Sequence, residues 1–565
     1  MSKKVDIIAI LSQNYRECHE IIMNILKNDL HTLYSCIRVN RSFCRIFIPI
    51  LWRNPFKFIK KDKKLVQLFN TLVRCLDPSI KAYLKLVGST FFKYHTYIKE
   101  FELNPLQRAM ELWTSANLLK EPNDSRSIRR TFNFNHYIGN LLFSKENKYH
   151  SLDVFYTELL SGPSSLFDIC EFRNHKSSLI NVNRLSLGFF NRSSMSLIPL
   201  ITTNFLNLQN SLSSYLQHLH IFINTTKYHP EFSKNLVDFI QSQRHLKSLI
   251  TNVSLIPEAF LNASKSLTFL RLVNFKIYTT ALLSILNSLP NLITLELNLV
   301  PMNSDGDDSQ KISTLPTSLF NNLKHLNYNY RITFLSKNSR ALFKRLLSST
   351  NNNLKSLKIK DIYCPLIREV QEQSHLNLTH FHLVLDHDYA LVDLIVLLKD
   401  LHQLVHLKLN TISDRYYLSE CGHLFREFTQ SLARSLKILE VNFAMVDKNL
   451  RILLNESKFN IQCVKFYRYE AYKDTSLRIL IDYSKRKKCL KEIGIPYFTR
   501  ASYLSKECVK EAKNHFNITM CRLKLRIGTI EHNNPLCENC SLKKDTYYEC
   551  IKNPISQKPF LFSNK

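Results

Sequence analysis

The feature of this sequence that most restricts its fold is a six-residue pattern, apolar-x-x-apolar-x-apolar, that recurs from residue 182 onward. Clear copies are LITLEL at 292–297, LVHLKL at 404–409 and LKSLKI at 354–359. Twelve copies start at residues 182, 216, 246, 267, 292, 323, 354, 378, 404, 436, 461 and 490, with an average spacing of 28 residues. Such a period is typical of repeat architectures in which each structural unit stacks on the next.

Strand geometry explains how such a repeat can fold. The second and third apolar positions are two residues apart, so they lie on one face of a short strand. Segments between hexads, such as 281–290 and 390–401, have the apolar spacing of helices. One strand and one helix cannot bury their apolar faces alone, but stacked copies form a continuous core. The sequence therefore predicts an α/β protein in which residues 176–530 form an irregular leucine-rich-repeat solenoid of about twelve repeats.

The same repeat predicts which side chains lie on the concave face, namely those at the third, fifth and seventh positions of each unit. The predicted concave-face residues, which are the candidates for binding a partner, are His218, His220, Arg271, Glu296, His325, Lys358, Lys360, His380, His382, His406 and Lys408. Arg184, Glu440, Lys465 and Glu492 occupy equivalent positions. Two interpretations stay open: a mildly basic, histidine-rich surface for an acidic or phosphorylated protein segment, or ordinary polar strand residues that bind nothing.

The first 56 residues predict a small helical module. Residues 16–26 have helical apolar spacing, and Asp29 is expected to cap a second helix that carries residues as far as Asn40. Pro49 is expected to form a turn or a first helical position, and Asn54-Pro55 ends the module. A module of this size needs its neighbours or a partner to bury its apolar faces.

The segments EIIMNIL, TLYSCIRVNRSFC and IPILWRNPF in this module resemble an F-box, in the form found in fungal F-box proteins with leucine-rich repeats. The resemblance covers about residues 14–56. Two positions depart from the family pattern: Asn14-Tyr15 replaces the usual Leu-Pro, and Phe43 stands where the family often has tryptophan.

The resemblance implies a role in protein ubiquitination. F-box proteins dock to the Skp-type linker subunit of a cullin–RING ubiquitin ligase, and their repeats hold a protein substrate. Carried over position by position, the residues implied to lie in or under the linker interface are Ile22, Met23, Leu26, Leu33 and Trp52.

A helical connector is predicted between the F-box and the repeats. Residues 63–76 form a clear amphipathic pattern, and Asn104-Pro105 is expected to start another helix that contains Trp113. The polar segment EPNDSRS at 121–127 is predicted to form a loop. The predicted organisation is an F-box at 1–58, a connector and entry to the solenoid at 59–175, repeats at 176–530 and a cap or tail at 531–565.

No catalytic motif is visible in the sequence. With only eight glycines, the chain has no phosphate-binding glycine loop, and it has no nucleophile elbow or HExxH motif. We therefore expect neither an enzyme nor a cofactor. One cluster in the tail, His532, Cys537, Cys540 and Cys550, could supply four zinc ligands, but its spacing is not a standard pattern, and a tail with ordinary thiols is the alternative.

Charge and hydropathy bear on partners and location. The net charge is +31, but the basic residues are scattered, with short runs only at 60–64 and 485–488, so nucleic acid is not an expected partner. No apolar stretch is long enough to predict a membrane span or a secretory signal, so we expect the cytoplasm or nucleus.

Taken together, these observations and the resemblance lead to a preferred hypothesis, a ubiquitin-ligase adaptor. The alternative is a ligase-independent repeat scaffold that binds protein or nucleic acid.

Overall fold

A computed structural model describes Leu26 and residues 29–57, 59, 61–117, 125–157, 175–190, 212, 215–224, 230–253, 257–260, 262–275, 279–299, 320–330, 337–350, 352–361, 365–373, 376–385, 390–411, 422–442, 445–467, 473–496 and 504–521. It divides into two compact units, one of residues 1–275 and 281–292, the other of residues 276–280 and 293–565. The predictions for Ile22, Met23 and the 531–565 tail, with His532, Cys537, Cys540 and Cys550, lie outside the described residues.

The first unit begins with two short helices, α1 (Leu30–Ile37) and α2 (Arg41–Leu51). As predicted, Asp29 caps α1, because its carboxylate accepts a hydrogen bond from the Thr32 amide at 3.1 Å. Asn40, which was expected inside the same helix, instead caps α2 and accepts a hydrogen bond from the Phe43 amide at 2.9 Å. Asparagine favours this position because its side chain satisfies an amide that the helix start leaves unpaired.

Pro49 lies inside α2, so the turn or helix start predicted at this residue is wrong. Phe47 and Ile50 on either side of it are buried, and both pack against Leu33 of α1. Pro49 removes one backbone hydrogen bond near the end of the helix, but burial of this apolar face offsets the loss.

The connector contains α3 (Asp62–Val73), α4 (Pro78–Tyr83), a 3-10 turn (Tyr94–Tyr97), β1 (Glu100–Glu102), α5 (Leu103–Asn117) and α6 (Ser125–Leu142). The predicted helices correspond to α3 and α5. They share an aromatic core with α6, in which Trp113 stacks on Phe134 at a centroid distance of 4.5 Å and both rings contact Phe69. The indole Nε1 of Trp113 donates a hydrogen bond to Asn70 Oδ1, which satisfies its buried polar atom.

The predicted loop at 121–127 is partly wrong. Residues 125–127 form the first turn of α6, and residues 121–124 lie outside the described part of the chain. Polar residues such as serine favour loops and helix starts for the same reason, since their side chains hydrogen-bond nearby backbone. Further along α6, Phe134, Ile138 and Leu142 are buried, and their packing decides in favour of helix.

The remaining elements of the first unit alternate between strand and helix. They are β2 (Ser151–Thr157), α7 (His175–Leu179), β3 (Arg184–Phe190), β4 (His218–Asn224), α8 (Pro230–Ser242), β5 (Ser248–Thr251), a 3-10 turn (Pro257–Phe260), β6 (Phe269–Phe275) and α9 (Thr279–Asn287). Strands β1 to β6 are all parallel and are hydrogen-bonded in sequence order.

The second unit continues the alternation with nine described strands. Its elements are β7 (Thr294–Leu299), β8 (His325–Tyr330), α10 (Lys337–Ser348), β9 (Ser356–Asp361), α11 (Pro365–Gln371), β10 (His380–Leu385), α12 (Ala390–Asp400), β11 (His406–Thr411), α13 (Gly422–Ser431), β12 (Ile438–Asn442), α14 (Asp447–Glu456), β13 (Cys463–Phe466), α15 (Asp474–Lys487), β14 (Glu492–Pro496), α16 (Lys506–Lys513) and β15 (Asn517–Cys521). These strands are also parallel and follow sequence order. The predicted α/β class is therefore confirmed.

Each of the twelve hexads enters one of the strands β3 to β14. In β7 the residues alternate between half-buried and buried, and Leu295, Leu297 and Leu299 are the buried ones. The buried strand residues face the helices: in β8, the ring of Tyr328 packs against Phe343 of α10 and its hydroxyl donates to the Ser339 carbonyl. The intervening residues therefore lie on the other side of the sheet.

A repeated backbone hydrogen bond joins successive strands in each unit. The carbonyl of the residue immediately before a strand accepts two amides from the start of the next strand, except at the β14–β15 junction, where Lys491 accepts one. Lys324, for example, accepts from Lys355 at 2.8 Å and from Ser356 at 2.9 Å. In the first unit this ladder begins at Arg53, just after α2, whose carbonyl accepts from Lys99 at 2.9 Å and Glu100 at 3.0 Å. The N-terminal helices are thus joined to β1 by the same bond that joins the strands.

The alternation of buried and outward residues makes a matched pair of variants informative. Leu357 in β9 has no exposed surface and lies between the buried Leu326 and Phe381 of adjacent strands, whereas its neighbour Ser356 faces outward. We expect Leu357→Ala to destabilise the second unit by about 3 kcal/mol, because it leaves a cavity between strands. Urea unfolding followed by circular dichroism should show this loss, and Ser356→Ala should stay close to wild type. Equal effects would contradict the assigned strand faces.

Candidate protein-binding face

The outward face of the strands carries the residues that the repeat predicted there. The first unit contributes His218, His220 and Arg271, and the second contributes Glu296, His325, Lys358, Lys360, His380, His382, His406 and Lys408. Because parallel strands are in register, equivalent residues of adjacent repeats stand side by side: His382 lies between Lys358 and Lys408. The structure therefore arranges the predicted residues in rows within each unit.

Glu440 of β12 is the centre of a charged cluster in the second unit. Its carboxylate accepts hydrogen bonds from Lys408 Nζ at 2.5 Å and from the Tyr467 hydroxyl at 2.7 Å. Lys465 Nζ lies 3.8 Å and His406 Nε2 lies 3.4 Å from its other oxygen. The Lys408 ammonium also lies over the ring of Tyr467, 4.6 Å from its centroid. These contacts balance much of the positive charge at this end of the face.

The environment of Glu440 keeps its carboxylate ionised. Burial on its own raises the pKa of this group, but the contacts from His406, Lys408 and Tyr467, together with the charge of Lys408, outweigh burial. The net result is a pKa well below the usual range for glutamate. Glu440 is therefore a fixed negative charge beneath the lysines.

Two histidines of the second unit, His380 and His382, do not carry the positive charge that a basic, histidine-rich surface requires. Burial, followed by the charges of Lys358 and Lys408, lowers the pKa of His382 to about 3, and its Nε2 lies 2.9 Å from Asn410 Nδ2. Burial also lowers the pKa of His380, whose ring stands edge-on to His406 at 5.6 Å. At neutral pH both rings are neutral, so they add no positive charge to this face.

The first unit has a smaller group of basic side chains, on β3, β4 and β6. Arg184 lies beside His218 in the register of β3 and β4, and His220 is separated from Arg271 by Ile250 of β5. Burial, then the charges of Arg184 and other cations, lowers the pKa of His220 to about 4. Burial likewise lowers the pKa of His218.

Three of the residues implied to lie in or under a linker interface, Leu26, Leu33 and Trp52, are described by the structure. Leu33 is buried in the α1–α2 core, and Leu26 packs against the same cluster while partly exposed. Trp52 is also buried, with its ring 4.4 Å from that of Tyr94 in the 3-10 turn. Leu33 and Trp52 therefore support the module from beneath its surface.

Sequence reasoning missed four exposed apolar side chains on α1, α2 and the turn between them, here called the exposed patch. It consists of Tyr34, Val39, Phe43 and Ile46, which are exposed to 54%, 62%, 39% and 36% respectively. No separate signal marks them in the sequence, because Phe43 and Ile46 lie four residues before the buried Phe47 and Ile50, so the helical spacing predicts all four on one apolar face. Tyr467 of the Glu440 cluster was not named among the candidates, although it occupies the seventh position of its unit, as Lys360 does.

Two further features bear on possible ligands. Within the described residues, no group of three or more histidine, cysteine, aspartate or glutamate side chains is placed to hold a metal ion. The helices that the structure describes include none with the length and hydrophobicity needed to cross a lipid bilayer.

Comparison with known proteins gave no match, either to a family model or to a curated protein.

The Glu440 cluster gives a prediction about stability and pH. Glu440→Gln removes the carboxylate that faces four partners, Lys408, Lys465, His406 and Tyr467, so we expect the second unit to lose about 3 kcal/mol at pH 7. The pH dependence has a definite direction, because folding lowers the pKa of Glu440. The stabilisation by its carboxylate is fully present above the unfolded-state pKa of about 4.3 and is lost as the pH falls below that value. Circular-dichroism urea titrations between pH 3 and 7 should therefore show wild type and variant converging in acid. The matched control, Glu427→Gln on the exposed side of α13, should follow wild type at every pH.

Proposed function

We propose that this chain is a substrate-recognition adaptor of a cullin–RING ubiquitin ligase. In this proposal α1 and α2 belong to an F-box that docks to the Skp-type linker, and the repeated strands and helices are leucine-rich repeats that hold a protein substrate. The observation that best supports it is the junction between the two parts, where Arg53 begins the backbone ladder that continues into the sheet.

The junction matters because an adaptor acts through geometry. A bound substrate is modified efficiently when it is held near the ubiquitin-conjugating enzyme at high effective concentration. Side chains reinforce the backbone connection: Arg53 Nε pairs with Glu100 at 3.0 Å, and Asn54 Nδ2 donates to Glu102 at 3.0 Å. A stiff connection from α2 to the first strand of the sheet suits such a role.

The exposed patch of Tyr34, Val39, Phe43 and Ile46 supports the linker side of the proposal. An apolar cluster on a small helical module is stabilised when a partner covers it, and aromatic residues are over-represented in such contacts. Leu33 and Trp52 would then act indirectly, by holding α1 and α2 in place beneath the patch.

The proposal predicts that replacing exposed patch residues abolishes linker binding without unfolding the chain. We expect the double variant Val39→Asp/Phe43→Asp to bind the Skp-type linker of its source organism at least about tenfold more weakly than wild type, because charges would enter an apolar contact. Binding should be measured by surface plasmon resonance on immobilised linker, after circular dichroism has shown equal folding.

Val392→Asp/Val396→Asp is a matched control, because these α12 residues are 51% and 39% exposed and lie in the second unit. It should bind the linker like wild type. If wild type does not bind the linker at all, the adaptor proposal fails and the ligase-independent scaffold becomes the leading hypothesis. Equal loss in both double variants would show that the patch is not the contact.

A further inference from the structure

The fold of the second unit brings together basic residues that are scattered in the sequence. Four connections lead from a helix into strands β12 to β15, at residues 432–437, 457–462, 488–491 and 514–516, and the structure describes all of them. They carry five lysine or arginine residues and no aspartate or glutamate. These five exposed residues, here called the basic edge, are Arg434, Lys437, Lys458, Lys488 and Lys491.

Strand register places the basic edge along one side of the sheet. Strands β12 to β15 are parallel neighbours, so their starting ends lie side by side, about 4.8 Å apart. The ladder fixes this arrangement, because the Lys437 carbonyl accepts the Gln462 amide at 2.8 Å and the Gln462 carbonyl accepts the Lys491 amide at 2.8 Å. Lys437 and Lys491 therefore stand about 10 Å apart, and the whole edge is about 14 Å long.

The helix ends beside the basic edge carry charges of both signs. The last turns of α13 to α16, at residues 428–431, 453–456, 484–487 and 510–513, add five lysine or arginine residues and two glutamates. Both glutamates have cationic partners, since Glu456 lies 2.9 Å from Arg426 and Glu511 lies 2.9 Å from Lys485. The balance of charge at this side of the unit therefore stays positive.

Three further carboxylates lie on elements around the basic edge. Glu492 of β14 is 3.6 Å from Lys465 on the outward face of the sheet. Asp482 of α15 acts on the nearby Lys485, and Asp400 ends α12 on the β11 side. None of the three belongs to the four connections, so the edge itself is uniformly basic.

A recess adjoins the basic edge between the ends of α15 and α16. It has a volume of about 360 Å³, and five of its six lining residues have side chains that can donate a hydrogen bond to an anion. The lining residues are Ser484, Lys485, Lys488, Leu490, Asn514 and His515. Lys488 belongs to both the recess and the edge, so anionic groups can be held in the two places at once.

We propose that the basic edge binds the phosphate backbone of double-stranded nucleic acid. Lysine ammonium groups contact phosphates as point charges and release condensed counterions, which gives affinity without base specificity. Each strand of a duplex carries one phosphate per 3.4 Å of helix axis, so an edge of about 14 Å spans about four of them. The inference goes beyond the proposed function, because the edge lies in the second unit and the exposed patch lies in the first.

The polar character of the edge favours a duplex over other polyanions. The aliphatic and aromatic residues of the four connections are all buried, Phe459 and Phe516 among them. Single-stranded nucleic acid is held largely by bases that stack on exposed aromatic rings. Protein interfaces have an apolar, aromatic centre, and membrane surfaces are bound by exposed apolar side chains beside the basic ones. A duplex presents a rigid outer array of phosphates, which a polar row of cations matches.

The test measures binding of the full chain to a fluorescein-labelled DNA duplex of about 20 base pairs by fluorescence anisotropy, at salt concentrations from about 50 to 200 mM. Compared with wild type, Lys458→Gln/Lys491→Gln should bind at least about tenfold more weakly. The slope of log affinity against log salt concentration should become shallower by about two, because two phosphate contacts are lost. Circular dichroism should first show equal folding.

Lys448→Gln/Lys506→Gln is the matched control. It removes the same charge from exposed positions in the first turns of α14 and α16, at the opposite side of the unit, and should stay close to wild type. Equal weakening by the two double variants would overturn the proposal, because it would indicate a general attraction to the net charge of the chain. Absence of duplex binding at the lowest salt concentration would overturn it as well.

Two competitor probes test the choice of partner. A labelled single strand of the same sequence and a labelled polyglutamate peptide of similar length should both bind more weakly than the duplex. Tighter binding of the single strand, or polyglutamate binding equal to that of the duplex, would overturn the assignment to a duplex. Val39→Asp/Phe43→Asp should bind the duplex like wild type, so failure of linker binding and failure of duplex binding can be told apart.

Discussion

The interaction on which the rest of the structure depends is the backbone ladder between successive repeats. One carbonyl before each strand accepts two amides from the next, which fixes adjacent strands as parallel and in register. A shift of one residue would turn every apolar side chain from the helices to the outer face. Because the ladder prevents such a shift, positions 4 and 6 of each hexad stay in the core while the intervening residues form rows.

The rows explain why similar sequences give different electrostatics at the two ends of the chain. Side chains at equal positions stand about 4.8 Å apart, a distance at which charges on neighbouring strands interact strongly. In the second unit a glutamate falls between two lysines, and the cluster is internally balanced. In the first unit the same row has its two carboxylates, Glu102 and Asp153, on β1 and β2, followed by serine, histidine, isoleucine and arginine on β3 to β6. Strand order therefore determines which charged side chains become neighbours.

The sequence pattern was sufficient to locate strands β3 to β14 and their outward residues, since a period-two apolar pattern reflects the burial of one strand face. It missed β1, β2 and β15, although IKEFEL at 98–103 and YHSLDV at 149–154 fit the same hexad, with Ile98 and Tyr149 buried at its first position. The charge state of the candidate site could not be predicted in this way. Lys408 and Glu440 meet only through the register of strands that are 32 residues apart in the chain.

The ladder also indicates a structural role for Trp52. Arg53 supplies the first carbonyl of the ladder, as the second residue of a hexad does elsewhere, so Trp52 occupies the place of a hexad's first apolar residue. That place is buried in every later repeat, and Trp52 is buried too, against Tyr94. A residue in this position acts as the first layer of the repeat core. Loss of linker binding on mutation of Trp52 would therefore reflect damage to the junction, whereas Val39 and Phe43 report on the surface itself.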